Sequence, residues 1–231
     1  MRLDRFICKH TEHGHKRSRH LIAGGRVEVD NRVVTDPLCP VTPFSTVRLD
    51  DQLLQQQRAY YLMLNKPSGY LSATRDPQHA TVLELLPKHL RTELHLAGRL
   101  DRATTGLLLL TNDGHWSRRI TAPEHRIPKT YRVTTAERIH SDAEERFTQG
   151  IWLAREQVMT SAAQLERLTD NQCRLTIYEG RHHQVKRMFA AISNEVIALH
   201  RESMGDIQLD PQLPPGEYRS LTAVEQQSIA V

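Results

Sequence analysis

No apolar run in this chain of 231 residues approaches the roughly 18 to 20 that a membrane span requires. The longest, such as Leu107 to Leu110, are strand-sized. Cysteine is scarce: Cys8, Cys39 and Cys173 are odd in number, widely spaced, and form no Cys-x-x-Cys pair of the kind used for zinc or thiol redox chemistry. They read as buried small hydrophobes. The thirteen histidines include the pairs His13/His15 and His182/His183, neither with metal-ligand spacing, so no metal is expected. No internal repeat of fixed period is present. Met1-Arg2-Leu3-Asp4-Arg5-Phe6 carries charge where a signal peptide needs its apolar core, which points to the cytoplasm.

The chain is 39% hydrophobic and 25% charged, which fits neither a disordered nor a membrane composition. Its length suits one large domain or two smaller ones. The net charge of +4 comes from 31 basic and 27 acidic side chains, and it is unevenly spread. Residues 1–32 hold Arg2, Arg5, Lys9, Lys16, Arg17, Arg19, Arg26 and Arg32 against Asp4, Glu12, Glu28 and Asp30, a surplus equal to that of the whole chain. Such a cluster suits a polyanion, whose condensed counterions are released by each Lys or Arg that meets a phosphate; it also suits a solvated helical face.

Leu3, Phe6 and Ile7 have helical spacing, and Ser18 is placed as the N-cap of a second helix containing Leu21 and Ile22 that stops at Gly24-Gly25. Arg26 to Val29 and Arg32 to Val34 alternate around Asp30-Asn31 as a tight hairpin. The glutamine-rich, polar residues 51–59 read as a linker. Beyond it, strands are expected at 60–64, 106–111, 130–135, 172–178 and 195–199. Helices are expected after a capping box at Ser141-Asp142-Ala143-Glu144, over about 182–192, and at Thr222-Ala223-Val224-Glu225. Without regular βαβ spacing, this mixture predicts an α+β fold.

Ser18-Arg19, Leu21-Ile22 and Gly25-Arg26-Val27-Glu28-Val29-Asp30 resemble the S4-type RNA-binding domain, with departures at His13-Gly14-His15 and at Asn31. That resemblance implies phosphate contacts for Lys16, Arg17, Arg19 and Arg26, with Arg2 and Arg5 in the same basic cluster. The stretch from Gly98-Arg99-Leu100-Asp101-Arg102 to Asn112-Asp113-Gly114 is no phosphate loop, because its glycine spacing is wrong and Gly-Lys-Ser/Thr is absent. Taken with Lys66-Pro67-x-Gly69, Lys129-Thr130-Tyr131 and Glu179-Gly180-Arg181-His182-His183-Gln184-Val185-Lys186-Arg187-Met188, in that order, it resembles the pseudouridine synthases, specifically the RsuA-type branch.

The resemblance implies a small S4-like domain at 1–50, a linker at 51–59, and a catalytic domain at 60–231 built on a mixed, mainly antiparallel sheet with flanking helices. It implies Asp101 as the essential carboxylate, Tyr131 stacked on the uracil, and Lys186 as the cation that keeps Asp101 ionised against desolvation. The helical wheel independently puts Val185, Met188, Phe189 and Ile192 on one apolar face with Lys186 at its edge, and leaves Arg187 to a phosphate or a surface pair. Arg99, Arg102 and Arg181 are candidates for phosphate contacts or for a wedge into the vacated base stack.

The expected reaction is conversion of one uridine of 16S rRNA to pseudouridine, without a cofactor. Asp101 would act by attack on the base, by attack on the ribose, or through a glycal, three routes the residues leave open. The partner this implies is 16S rRNA, free or within an assembling small-subunit particle; the chain shows no oligomerisation signal and is read as a monomer. Two alternatives are a synthase acting on 23S rRNA and a non-catalytic RNA-binding ribosome-assembly factor.

Overall fold

The computed structural model describes residues 1–229 and divides into two compact units, Met1–Ala59 and the chain from Tyr60 onward. In the first, α1 (Leu3–His10) and α2 (His15–Ala23) accompany β1 (Val27–Val29), β2 (Arg32–Val33), β3 (Val47–Leu49) and β4 (Gln52–Gln55), which form a sheet in the order β2-β1-β3-β4. Leu3, Phe6, Ile7, Leu21 and Ile22 from the helices bury against Val27, Val29, Val47 and Leu49. Asp30 and Asn31 both take positive φ (53° and 63°), the left-handed pair that a two-residue hairpin turn requires.

Two local expectations are corrected in this unit. Helix α2 starts at His15 with Gly14 as its N-cap, so Ser18 lies inside the helix, where its hydroxyl donates back to the Gly14 carbonyl. Residues 52–55, expected in a linker, form β4 and pair with β3. Their polarity reflects an exposed edge strand: Gln55 donates its side-chain amide to the carbonyls of Thr42 and Ser45.

The second unit contains β5 (Tyr61–Lys66), α3 (Lys88–Arg91), β6 (His95–Ala97), β7 (Thr105–Thr111), α4 (Gly114–Thr121), β8 (Lys129–Thr135), α5 (Ala143–Gln149), β9 (Trp152–Leu153), β10 (Val158–Met159), β11 (Gln164–Arg167), β12 (Gln172–Ile177), α6 (Gln184–Ala191), β13 (Val196–Met204), β14 (Ile207–Gln208), β15 (Tyr218–Ser220) and α7 (Ala223–Gln227). The large sheet runs β11-β12-β8-β13-β7-β5-β15, with β14 on β13 and β6 on β7. It is antiparallel except at its centre, where β13 lies parallel to β7. The fold is therefore α+β on a mixed, mainly antiparallel sheet.

Alternation along the central strands assigns side chains to two cores. Leu62, Leu64, Leu108 and Leu110 join Phe147, Val185, Met188 and Phe189 on one face. Met63, Leu107 and Leu109 join Trp116, Ile120 and Met204 on the other. This explains the unbroken run Leu107 to Leu110: a strand covered on both faces has no solvent side to keep polar.

Strand β13 extends past the expected 195–199 to Met204. The capping box expected at Ser141 does not form, since α5 begins after Asp142 with no side-chain cap, whereas the box at Thr222/Glu225 does. Only Cys173 is fully buried; Cys8 and Cys39 are half-buried. No helix among the described residues is long and apolar enough to cross a membrane.

Candidate active site

Asp101 stands on the turn between β6 and β7, and that turn is pinned from both sides. Before it, Leu100 N donates to Ser72 Oγ (3.0 Å) while Ser72 Oγ donates to the Leu100 carbonyl (2.8 Å). After it, Thr104 N closes on the Asp101 carbonyl (3.0 Å), and Gly69 N and Arg102 Nε exchange bonds with the carbonyls of Arg102 and Gly69. Beneath the turn lies Lys66, fully buried at the end of β5, with Nζ donating to the carbonyls of Pro67, Arg102 and Thr104. Burial lowers the Lys66 ammonium to about 8, and the negative charge of Asp101 works against that shift.

The basic side chain nearest the Asp101 carboxylate is His183, with Nε2 3.4 Å from Oδ1; the Asp101 side chain is 28% exposed. His183 occupies the N-cap of α6 in left-handed backbone (φ 50°) and stacks on His182. Its loop is tied by Arg181 N to Gln184 Oε1 and by Gln184 Nε2 to Glu179 Oε1. Lys186 does not occupy the place expected for it beside Asp101: it is half-buried, outside the cavity lining, and not ion-paired with Asp101. The helical wheel sets its angle about α6 correctly, at the edge of the buried Val185, Met188, Phe189 and Ile192 face. It could not show that the residue capping the helix reaches the carboxylate first.

Asp101 and Tyr131 line one cavity of about 600 Å³, a volume suited to a nucleoside. Tyr131 lies on β8, opposite Leu175 on β12 and Arg201 on β13, and is 8% exposed. Arg201 lines the same cavity, fully buried, with Nε donating to the Leu107 carbonyl at 2.7 Å. Its backbone meets Gly106 across the parallel pairing so closely that a Cβ there would lie 2.3 Å from the Arg201 carbonyl oxygen. Glycine at 106, at φ +100°, is thus required. Lys129 completes this side, with Nζ on the Ile127 carbonyl.

The basic side chains separate into free and engaged. Arg99, Arg102 and Arg181 are exposed and line the cavity, Arg181 with Nε on Glu179. Arg187 pairs with Glu156, away from the cavity lining. In the first unit Arg2 and Arg19 both bind the buried Asp4 carboxylate, holding it well below the usual range, and Arg26 forms a two-bond pair with Asp50. Arg5, Lys16 and Arg17 are exposed and form no ion pair among the described residues.

Lys66, Lys129 and His183 stand inside the sequence motifs without a role assigned by them, and Arg201 lies beyond the strand expected to end at 199. The sequence hides it, because His200 to Ser203 are all polar and the alternating burial of Leu199, Arg201 and Ser203 shows only in the folded strand.

Residues 60–191 match the family model described as RNA pseudouridylate synthase. Over 226 residues the chain is 53% identical to "Ribosomal small subunit pseudouridine synthase A" of Pseudomonas aeruginosa, covering 97% of this chain and 98% of that one. Over 230 residues it is 48% identical to the protein of the same name from Escherichia coli, covering 99% and 100%. A solved structure titled "Crystal structure of pseudouridylate synthase" superposes over 100% of both chains with a TM-score of 0.73 and 39% identity. The chain belongs to the RNA pseudouridylate synthase family, in its RsuA-type branch, and is a pseudouridine synthase, an isomerase.

Proposed function

We propose that the protein converts one uridine of 16S rRNA to pseudouridine, with Asp101 as the essential carboxylate and Tyr131 stacking on the extruded uracil. The observation that carries this reading is the Asp101 turn, fixed by Lys66, Gly69 and Ser72 in the wall of a nucleoside-sized cavity that also holds Tyr131. The choice of RNA follows from the relatives, whose names specify the small ribosomal subunit and whose likeness spans the whole chain. A base inside a duplex is out of reach of such a pocket, so the nucleotide is extruded at a cost of about a few kcal/mol.

Lys186 is assigned the cation that meets Asp101 once RNA is bound, His183 holding that place in the free protein. Arg99, Arg102 and Arg181 serve phosphates beside the flipped nucleotide, and Arg187, released from Glu156, serves one further along. The first unit, two helices with a four-stranded sheet, acts as an S4-like RNA-binding module through Arg5, Lys16 and Arg17, with Arg2, Arg19 and Arg26 contributing where RNA replaces their carboxylate partners. The protein works as a monomer in the cytoplasm, on 16S rRNA free or in an assembling particle.

The test is incubation of the protein with 16S and 23S transcripts, each naked and in assembling particles, followed by carbodiimide-stop mapping. One new site in 16S rRNA, abolished in Asp101→Asn while RNA affinity stays within a few-fold, is the expected result. A site in 23S alone would overturn the substrate, and undiminished modification by Asp101→Asn would overturn the role of the carboxylate.

A further inference from the structure

Arg201 is among the largest fully buried side chains of the molecule, yet it has no carboxylate within 4 Å among the described residues, and its Nη2 lacks any hydrogen-bond partner. Lys129, on the neighbouring strand, is in the same position: its ammonium meets the Ile127 carbonyl and no acidic side chain. Several half-buried arginines are paired, Arg167 with Glu144, Arg174 with Glu202 and Arg219 with Glu225. A fully buried arginine beside a half-buried lysine, without a counter-charge, is costly, and an unsatisfied buried donor in a native structure calls for a reason. Gly106 shows that the position is built, since the chain gives up a side chain there to let the Arg201 backbone approach.

Resting on the reading of the cavity as a uridine site, we propose that Arg201 and Lys129 form a cationic floor that holds the uracil carbonyl oxygen on which negative charge collects during isomerisation. The exposed Arg99, Arg102 and Arg181 suit phosphates that stay near solvent. Arg201, fully buried, and Lys129, half-buried, suit the part of the nucleotide inserted deepest, which is the base, and Arg201 lies directly opposite the stacking residue Tyr131 in the strand register.

The chemistry supplies the anion by every route open to Asp101. When the N1–C1′ bond breaks, its electron pair stays with the uracil and spreads onto O2 and O4. C1′ meanwhile bonds to an Asp101 oxygen, or C2′ passes a proton to Asp101 as the glycal forms. The turned base then bonds C1′ through C5, Asp101 departs or returns the proton to C2′, the C5 proton is lost, and N1 takes one up. If Asp101 instead adds to C6, the displaced pair runs through C5 to O4. Nothing is oxidised or reduced, and each route loads a carbonyl oxygen where fixed, desolvated donors are most effective. Burial and the neighbouring Arg201 charge lower the Lys129 ammonium to about 8, a penalty that an arriving oxyanion relieves.

The experiment is a cycle between protein and substrate atoms, on a 16S RNA fragment carrying the mapped uridine or its 2-thio or 4-thio analogue. Lys129→Met and Arg201→Lys are compared with wild type in single-turnover rate and RNA affinity. Each variant is expected to lose about 10²-fold in rate, as for removal of an oxyanion donor, with affinity within a few-fold. Sulfur at the held oxygen should slow the wild type and add less than about threefold in the variant, because the interaction is already gone. Independent, multiplying losses for both sulfur positions in Lys129→Met would overturn the proposal, and this variant stands in should Arg201→Lys fail to fold. Failure of wild type to modify the unsubstituted fragment would overturn the functional reading itself, a separate outcome.

Discussion

His183 Nε2 lies 3.4 Å from Asp101 Oδ1, so the carboxylate is met by the residue that caps α6, while Lys186 stands in the first turn of that helix. The proposed role of Lys186 at Asp101 competes with that of His183, and single substitutions separate the two. Lys186→Met is expected to lower the single-turnover rate about 10²-fold and His183→Ala only a few-fold. The opposite order would transfer the role to His183.

Lys66 holds the Asp101 turn by donating to the carbonyls of Arg102 and Thr104, and donates also to that of Pro67. Lys66→Met should slow modification about 10²-fold, with RNA affinity little changed, since the loss is in positioning. The ammonium titrates at about 8 in the folded protein against ~10.4 in an unfolded chain, so the unfolded state binds more protons between those values. Stability therefore gains from this group as pH rises from 8 toward 10, while activity falls as the charge facing Asp101 is lost. Rate profiles from pH 6 to 9.5 check this; an identical alkaline limb in Lys66→Met would assign the limb to another group.

Gly106→Ala tests the central crossing of β7 and β13. A Cβ would lie 2.3 Å from the Arg201 carbonyl oxygen, and the residue would be held at φ +100°. The dihedral alone costs about 1–3 kcal/mol, and the clash adds to it. Urea unfolding followed by Trp116 and Trp152 fluorescence should show that loss; an unchanged midpoint would mean that the crossing relaxes freely.

Among the basic residues of the first unit, Arg5, Lys16 and Arg17 are free, whereas Arg19 and Arg26 are held by Asp4 and Asp50. Neutralising a residue that contacts phosphate should flatten the dependence of log affinity on log salt by about 1. Arg5→Gln, Lys16→Gln and Arg17→Gln are expected to do so, and Arg26→Gln to change the slope less while lowering the stability of the unit. Equal slopes for all four variants would show that the intramolecular pairs open on RNA.

The sequence by itself determined part of the elements and the order of the motifs. Leu3, Phe6 and Ile7 at helical spacing, Asp30-Asn31 between alternating strands, and Leu107 to Leu110 as a strand buried on both faces are local patterns, and local sterics and hydrophobicity suffice to read them. Strand 52–55 was hidden because edge strands are polar, and the end of β13 because a buried arginine looks like a strand terminus. Tertiary structure alone decided which groups meet: Lys66, Ser72 and Gly69 around the Asp101 turn, His183 rather than Lys186 at its carboxylate, and Arg201 with Lys129 beside Tyr131. Those contacts join residues tens of positions apart, set by strand order and register, and charge–charge distances depend on that register in a way no pattern along the chain encodes.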